Sequence, residues 1–332
     1  MNKTRPSARL SKALVTGGAG FIGSHLVDRL TNEGICITVL DNLSSGRPKN
    51  IERWLNHERF QFAEGDLKNL RDVEEAAENA ELIFHLAANP EVRVGETNPS
   101  IHFEENLMAT FNVLETMRKS TSAKTLVFTS TSTVYGEAAV MPTPEDYGPL
   151  IPISTYGASK LGCEALVCSY AYTFGLRALI LRIANVVGPR ATHGVINDFI
   201  NKLRADPNRL KILGDGTQEK SYLHVEDCVS AFLHLTLQFL QTQDKVAIYN
   251  VGSLDQITVG KIAEIVVDAL SLQDVEFAFT GGVDGGRGWR GDVKVMLLSV
   301  EKLLKTGWKP KYTSEQAVRL ATKEILTERS AL

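Results

Sequence analysis

Short apolar runs alternate with helical patterns along the first half of the chain. Apolar or β-branched runs predict strands at 13–16, 35–40, 60–62, 82–86, 125–128 and 178–183. Apolar residues at helical spacing predict helices at 22–32, 70–79, 99–118 and 156–174. Such an alternation is typical of a parallel sheet with helices on both faces. The first half is therefore predicted to be an α/β domain with a doubly wound parallel sheet.

The regular alternation of predicted strands and helices ends after residue 185. Glycine, proline and aspartate separate shorter elements, and apolar spacing predicts helices at 195–204, 225–241, 259–270 and 314–326. We expect a smaller α/β lobe at the carboxyl edge of the sheet, made mainly by residues 186–332. A strand predicted at 247–251 belongs to a segment near 222–251 that is expected to return to the main domain. The predicted division is a tail at 1–12, a first domain at 13–185 and this lobe.

Composition narrows the classes of function. The chain has 332 residues and a net charge of -3, which argues against a broad basic face for nucleic acid. No apolar run is long enough for a membrane helix, and no apolar stretch follows the basic start as in a secretory signal. The four cysteines form no CxxC pair and have no metal-ligand spacing. We expect buried free thiols, no metal, and a reducing compartment, the cytoplasm.

A glycine-rich turn separates the first predicted strand from the first predicted helix. Gly17 permits a tight turn, Gly20 lets the backbone approach a pyrophosphate, and Gly23 lets the helix pack close to the sheet. Phe21 and Ile22 open the helix, whose free N–H groups and partial positive charge suit phosphates. The alternative is a glycine turn without a ligand.

An acidic residue ends the second predicted strand, 41 − 23 = 18 residues after the last glycine. A carboxylate at Asp41 accepts hydrogen bonds from the adenosine ribose and repels a 2′-phosphate, which favours NAD over NADP. Asn42 and Ser44 follow on the same loop, and Asp66 with Leu67 suits an adenine contact. Strand, glycines, helix and acid in this order predict a Rossmann-type NAD-binding domain.

A tyrosine and a lysine lie four residues apart at the start of a predicted helix. Tyr156 and Lys160 therefore project from one face. A nearby ammonium lowers the pKa of a phenol, which is ordinarily about 10. The hydroxyl run 129–133 ends the preceding strand, where an open α/β sheet binds ligands. These residues predict a tyrosine general base beside a substrate oxygen, and the alternative is two unrelated surface residues.

With these motifs the chain resembles the extended short-chain dehydrogenase/reductases of the NAD-dependent epimerase/dehydratase family, and among them the UDP-glucose (UDP-galactose) 4-epimerases. The matching stretches span nearly the whole chain: 15–23, 41–45, 65–67, 85–88, 129–136, 156–160, 182 with 185, 213–225 and 291–292.

The resemblance assigns roles at matching positions. It makes Tyr156 the general base, Lys160 the group that lowers its pKa and binds the nicotinamide ribose, and Thr131 a helper twenty-five positions before the tyrosine. It adds supporting or cofactor-groove residues at Leu86, Ala87, Ala88, Asn106 and Thr129. On the substrate side it points to Asn185, Val195, Lys211, Leu213, Lys220, Arg287 and Asp292.

The reaction that the resemblance implies is interconversion of UDP-glucose and UDP-galactose through a 4-keto intermediate, with NAD regenerated in each cycle. Related dehydratases carry Asp-Glu directly after the helper hydroxyl, and related decarboxylases carry a glutamate two positions after it. This chain has Ser132 and Thr133 at those positions. Open alternatives are an epimerase for N-acetylated or uronic acid sugars, a dehydratase, a 4-ketoreductase, and a non-catalytic NAD-sensing protein. The resemblance also implies a homodimer through the helices at 99–118 and 156–174.

Some positions depart from the epimerase pattern. This chain has Lys220 where the epimerase pattern has an arginine, Ile183 where it has a tyrosine, and Pro90 where it has a lysine. The loop arginine that binds phosphate in the pattern aligns nearest to Trp289 in this chain. Arg287 or Arg290 is expected to take over that arginine's role. Met296 falls where a tyrosine excludes N-acetylated sugars in some relatives.

Overall fold

The computed structural model describes residues 10–330. The predicted tail, 1–12, lies outside the described residues except for its last three positions. The strands are β1 Lys12–Thr16, β2 Cys36–Asp41, β3 Phe60–Glu64, β4 Leu82–His85, β5 Thr125–Thr131, β6 Arg177–Ile183, β7 Asn185–Val187, β8 Arg209–Ile212, β9 Glu219–Lys220, β10 Tyr222–His224, β11 Val246–Val251, β12 Ile257–Thr258, β13 Glu276–Phe279 and β14 Val295–Met296. The helices are α1 Phe21–Asn32, α2 Leu70–Ala76, α3 Ser100–His102, α4 Ala109–Lys119, α5 Thr155–Phe174, α6 Val195–Ala205, α7 Val225–Gln241, α8 Val259–Ala269, α9 Glu301–Leu304 and α10 Ser314–Ser330.

Seven strands form the main sheet in the order β11-β6-β5-β4-β1-β2-β3, and all neighbours are parallel. The predicted α/β, doubly wound parallel sheet is confirmed. The strand order reverses at the β1/β4 boundary, with β2 and β3 following β1 to one side and β5 and β6 following β4 to the other. Such a reversal creates a crevice outside the carboxyl ends of the strands. A ligand site is expected in that crevice.

Helices pack on both faces of the sheet because each face is apolar. One core contains Leu26 of α1 and Phe232 of α7, and the other contains Val113 of α4 and Val167 of α5. A third core, with Phe199 of α6 and neighbouring side chains of α8 and α10, fills the smaller lobe. This lobe lies in the second half of the chain.

The segment near 222–251 takes part in both regions. Its strand β11 pairs with β6 at the edge of the main sheet, and α7 packs into the first core. Its strand β10 pairs instead with β7. The boundaries proposed at residues 12 and 185 stay predictions.

Several elements differ from their predicted bounds, and three of these differences are informative. β5 runs to Thr131 rather than to residue 128, because its hydroxyl residues keep pairing with β6. α2 ends at Ala76, shortly before Asn79 takes a positive φ of 61°. The predicted helix 99–118 contains a π-helical stretch, Phe103–Met108, between α3 and α4. Such stretches are frequent at functional sites.

All four cysteines are free thiols, but one expectation about them is wrong. Cys163 and Cys228 are buried, whereas Cys36 is exposed because it is the first residue of β2 at the amino edge of the sheet. Within residues 10–330, no helix is long and apolar enough to cross a membrane. The same residues contain no cluster of His, Cys, Asp and Glu suited to a metal ion.

Candidate active site

A cleft follows the carboxyl edge of the main sheet and continues under the smaller lobe. Residues of both regions line it, and most of the predicted site residues are among them. These are Gly17, Gly20, Phe21, Ile22, Gly23, Asp41, Asn42, Ser44, Asp66, Leu67, Leu86, Ala87, Ala88, Thr129, Thr131, Tyr156, Lys160, Asn185, Val195, Lys220 and Asp292.

The glycine turn is as tight as its sequence predicts. Gly17 has a φ of +70°, and a Cβ there would lie 2.8 Å from the Ala87 backbone. A Cβ on Gly23 would lie 2.1 Å from the Gly17 carbonyl oxygen, so α1 reaches the turn only because this residue is glycine. No side chain caps the amino end of α1, and its first turn carries no acidic residue. The first N–H groups of the helix are thus suited to a phosphate anion.

Asp41 connects the glycine turn to the loop after β2. Its Oδ2 accepts a hydrogen bond from the Ala19 N–H at 2.9 Å, and its Oδ1 accepts one from the Leu43 N–H at 2.9 Å. Burial raises the pKa of this carboxyl group, and the two backbone hydrogen bonds oppose the increase. A carboxylate oxygen has a second lone pair, so both oxygens remain able to accept from a ligand in the cleft. This structural role could not be read from the sequence.

The proposed catalytic pair lies on the first turns of α5. Ser154 caps the helix by accepting a hydrogen bond from the Gly157 N–H at 3.0 Å, which fixes the start of the helix. Tyr156 is half-buried, and Lys160 is 3% exposed one turn further on. Both line the cleft beside Thr131, the last residue of β5. The structure thus brings Thr131 together with two residues of α5 that are distant from it in sequence.

The electrostatics of this pair differ from the expectation. Burial raises the pKa of Tyr156 to about 12, and a hydrogen bond with Thr131 opposes the increase. Burial also lowers the pKa of Lys160 to about 8. The phenol pKa is thus raised in the protein by itself, and the lowering by Lys160 that the resemblance implies stays a prediction. The Lys160 ammonium lies 4.5 Å from the centroid of the Phe128 ring.

Asn106 supports the site from behind and does not line the cleft. Its Oδ1 accepts a hydrogen bond from the Asn89 N–H at 2.7 Å, and its Nδ2 donates to Ser159 Oγ at 3.0 Å. The side chain is 2% exposed and lies in the π-helical stretch. It therefore links the loop after β4 to the helix that carries Tyr156. Its assignment to direct cofactor contact is corrected to this supporting position.

Three predicted substrate residues also lie outside the cleft lining. The Lys211 side chain is exposed on β8, and Leu213 follows that strand with its carbonyl accepting from Gln218. Arg287 donates to the Glu137 carboxylate and to the Asp284 carbonyl. These contacts direct the guanidinium to the loop around Asp284 and to the segment after β5 rather than into the cleft.

The substrate end of the cleft contains an ion pair and an aromatic ring. Lys220 Nζ lies 2.5 Å from Asp292 Oδ1 and 5.6 Å from the centroid of Trp289. Trp289 lines the cleft, and its buried Nε1 has no hydrogen-bond partner among the described residues. His193 lines the cleft too. No sequence pattern points to His193, and Trp289 is notable in the sequence only as a departure from the epimerase pattern.

The dinucleotide half of the cleft fits NAD. It combines the uncapped amino end of α1, the Asp41 carboxylate and the apolar wall of Leu86, Ala87 and Ala88. Thr129 Oγ1 is buried without a hydrogen-bond partner among the described residues and belongs to the same wall. These features match a ligand with a pyrophosphate, ribose hydroxyls and flat rings.

The chain belongs to the NAD dependent epimerase/dehydratase family, whose model matches residues 13–252. Its cofactor is therefore NAD. A putative UDP-glucose 4-epimerase of Methanocaldococcus jannaschii is 32% identical over 312 residues, which cover 92% of this chain and 95% of that protein.

Solved structures of the same family are similar over almost the whole chain. A crystal structure of a UDP-galactose 4-epimerase has a TM-score of 0.85 and 46% identity, covering 96% of this chain and 99% of that one. The UDP-glucuronic acid 4-epimerase of Bacillus cereus, in complex with UDP-glucuronic acid and NAD, has a TM-score of 0.84 and 27% identity, covering 96% and 99%. The family includes nucleotide-sugar epimerases of different substrate specificity.

Proposed function

We propose that this protein is an NAD-dependent nucleotide-sugar 4-epimerase that interconverts UDP-glucose and UDP-galactose. The observation that carries the proposal is the end of β5 beside Tyr156. Thr131 lines the cleft with the phenol, and the next two residues are Ser132 and Thr133, which also line it. Hydroxyl groups hold a sugar oxygen but do not perform the carboxylate acid–base steps of dehydration or decarboxylation.

The proposed reaction begins with proton transfer at the sugar 4-hydroxyl. Tyr156 accepts that proton as Thr131 holds the phenol oxygen in place. NAD supplies the hydride acceptor at C4 and the positive charge of its oxidised ring. After the 4-keto sugar has turned over, the same hydride would return to the opposite face of C4 and Tyr156 returns the proton to the oxygen, which inverts the configuration at C4. Lys160 provides a fixed positive charge in the buried half of the site.

Because burial raises the pKa of Tyr156 to about 12, the phenol needs nearby positive charge to act as a base at neutral pH. Lys160 supplies one such charge from the same face of α5. The oxidised cofactor brings a second. We therefore expect the tyrosine to be activated only when the cofactor and Lys160 act together.

The charges in the cleft favour a neutral sugar. Among the described lining residues, the lysines are Lys160 and Lys220, and Lys220 is already paired with Asp292. Desolvation lowers the pKa of His193, which disfavours a charge at that position. A uronic acid would bring an additional carboxylate, and the lysine that remains, Lys160, is the one expected to bind the cofactor ribose. This supports a hexose over a uronate.

A second candidate is the pair of N-acetylated UDP-hexosamines. Met296 lines the cleft and is buried, and its flexible side chain could make room for an acetamido group. The test is a comparison of kcat/KM for UDP-galactose, UDP-N-acetylgalactosamine and UDP-galacturonic acid. We expect the order neutral hexose, N-acetylhexosamine, uronic acid. A uronic acid substrate that reacts fastest would overturn the hexose assignment.

We further propose a cytoplasmic homodimer. Phe103, Phe111 and Phe174 are exposed on the π-helical stretch, α4 and α5, the helices expected to form the dimer contact. A second copy would cover these rings. Light scattering of the purified protein tests this, and a monomer at micromolar concentration would contradict it.

A further inference from the structure

Two oppositely charged side chains lie one helical turn apart behind the catalytic tyrosine. Lys160 and Glu164 stand at positions i and i+4 of α5, the spacing at which a lysine and a glutamate ordinarily pair. Both are almost fully buried, at 3% and 4% exposure. They do not form a salt bridge. Their separation needs a cause, because a buried ammonium and a buried carboxylate attract each other strongly.

Arg182 occupies the carboxylate of Glu164. Its Nη2 lies 2.7 Å from Oε2 and its Nε lies 3.0 Å from Oε1, so the guanidinium binds both oxygens. Ser130 Oγ donates to Oε1 at 2.5 Å. A two-pronged contact of this kind is the strong form of an arginine–carboxylate pair. Glu164 is thus held towards β5 and β6 rather than towards Lys160.

Arg182 is itself fixed from the other side. Its Nη1 donates to the Tyr135 hydroxyl at 2.9 Å and to the Glu145 carbonyl at 3.1 Å. The arginine is 3% exposed. With four acceptor groups around it, the guanidinium has no freedom to release Glu164.

Lys160 consequently keeps an unpaired charge. No hydrogen bond of its ammonium is formed within residues 10–330, and its nearest aromatic contact is the Phe128 ring. Cys163 faces it as well, but burial raises the pKa of that thiol and keeps it neutral. Glu164 is therefore the acidic group that could neutralise Lys160.

We propose that Arg182 is a positioning residue that keeps Glu164 away from Lys160, so that the Lys160 ammonium stays free for the cofactor ribose and for activation of Tyr156. This inference rests on the proposed epimerase function. It explains why the carboxylate of Glu164 does not neutralise the charge of Lys160, although the two residues are one helical turn apart. The buried Arg182–Glu164 pair would then act on catalysis through Lys160, apart from any contribution that it makes to stability.

The test compares Arg182→Met, Glu164→Gln and the double variant, each measured as kcat per folded, NAD-loaded subunit. We expect Arg182→Met to reduce kcat at least about tenfold, because a free carboxylate beside an ammonium changes proton affinities by a unit or more. Glu164→Gln alone should stay within about twofold of wild type, because Ser130 and Arg182 can still bond to the amide. The double variant should recover kcat although the ion pair is absent.

Arg177→Met is the matched control. It removes an arginine from the same strand, where the side chain stacks on Phe239 and donates to its carbonyl, without contact to Glu164. It should lower the melting temperature and leave kcat per folded subunit unchanged. If Arg182→Met fails to fold, Glu164→Gln still decides, since a tenfold loss of kcat in its folded subunits would overturn the inference.

A purely stabilising ion pair would give a different pattern. Folded Arg182→Met would then have wild-type kcat, or the double variant would be as impaired as Arg182→Met, and either result overturns the proposal. Wild-type protein without epimerase activity would refute the proposed function instead. In that case the amount of NAD that stays bound is measured instead of kcat. We expect Arg182→Met to lose bound NAD and the double variant to regain it.

Discussion

Asp41 Oδ2 accepts a hydrogen bond from the Ala19 N–H at 2.9 Å, so the acid that ends β2 is bound to the glycine turn that ends β1. One side chain therefore both shapes the turn and lines the cofactor cleft. Its charge can select the cofactor, because a carboxylate accepts from ribose hydroxyls and repels a 2′-phosphate.

Replacing Asp41 with asparagine should shift the preference from NAD towards NADP. The amide keeps the shape and one acceptor oxygen, but it loses the negative charge. We expect NAD affinity to fall about tenfold, as for loss of a charged hydrogen bond, while NADP binding is unchanged or improved. Titration of the apoprotein with both cofactors measures this. An unchanged ratio of the two affinities would show that Asp41 acts only on the turn.

Tyr156→Phe and Thr131→Val should distinguish proton transfer by the tyrosine from the assistance that the threonine hydroxyl gives to it. The first removes the proposed base and should lower kcat by roughly 10²–10⁴-fold, the range for general acid–base catalysis. The second leaves the phenol without its hydroxyl partner and should lower kcat about tenfold. Both should retain NAD. A Tyr156→Phe enzyme with wild-type kcat would rule out the tyrosine as the base.

NAD affinity should decrease above about pH 8. Burial lowers the pKa of Lys160 to about 8, so the apoprotein loses this ammonium as the pH rises through that value. The sign for stability is opposite. A depressed lysine pKa means that burying the charged Lys160 destabilises the folded state. This loss of stability is removed as the pH rises from about 8 to about 10.4, the ordinary pKa of a lysine.

Lys160→Met provides the control for both effects. It should weaken NAD binding, abolish its dependence on pH near 8, and stabilise the apoprotein at pH 7, because no ammonium remains to be buried. Calorimetric titration between pH 6.5 and 9.5 and thermal unfolding measure these changes. Wild-type NAD affinity that is constant to pH 9.5 would contradict the assignment.

Asn106→Ala should lower stability more than catalysis. It leaves the half-buried Asn89 N–H and the buried Ser159 Oγ without this partner, at a cost of about 1–3 kcal/mol in the free energy of unfolding. Urea unfolding measures the cost, and NAD content should stay near one per subunit. Loss of NAD without loss of stability would return Asn106 to direct cofactor contact.

Local patterns were sufficient to predict the sheet. The apolar runs and glycine turn of the first half predict strands in a βαβ order, and such units permit few arrangements. Asp41, Tyr156, Lys160 and Thr131 were predictable because each lies at the end of a strand or the start of a helix. Those positions face the crevice in any doubly wound sheet.

The substrate side was harder to predict because its residues come from loops and short strands. Arg287 was selected for its charge, yet Glu137, which is 150 positions away, binds its guanidinium. The pKa of Tyr156 depends on burial, and Glu164 depends on Arg182 of another element. Interactions of this kind are set by tertiary packing, which no local pattern encodes.

The most direct test of the central claim is incubation of the purified protein with UDP-galactose and no added cofactor, followed by NMR of the anomeric protons. We predict UDP-glucose at many turnovers per subunit, with NAD retained in the protein and activity abolished in Tyr156→Phe. Protein that contains NAD but leaves UDP-galactose unchanged would contradict the assignment of this substrate.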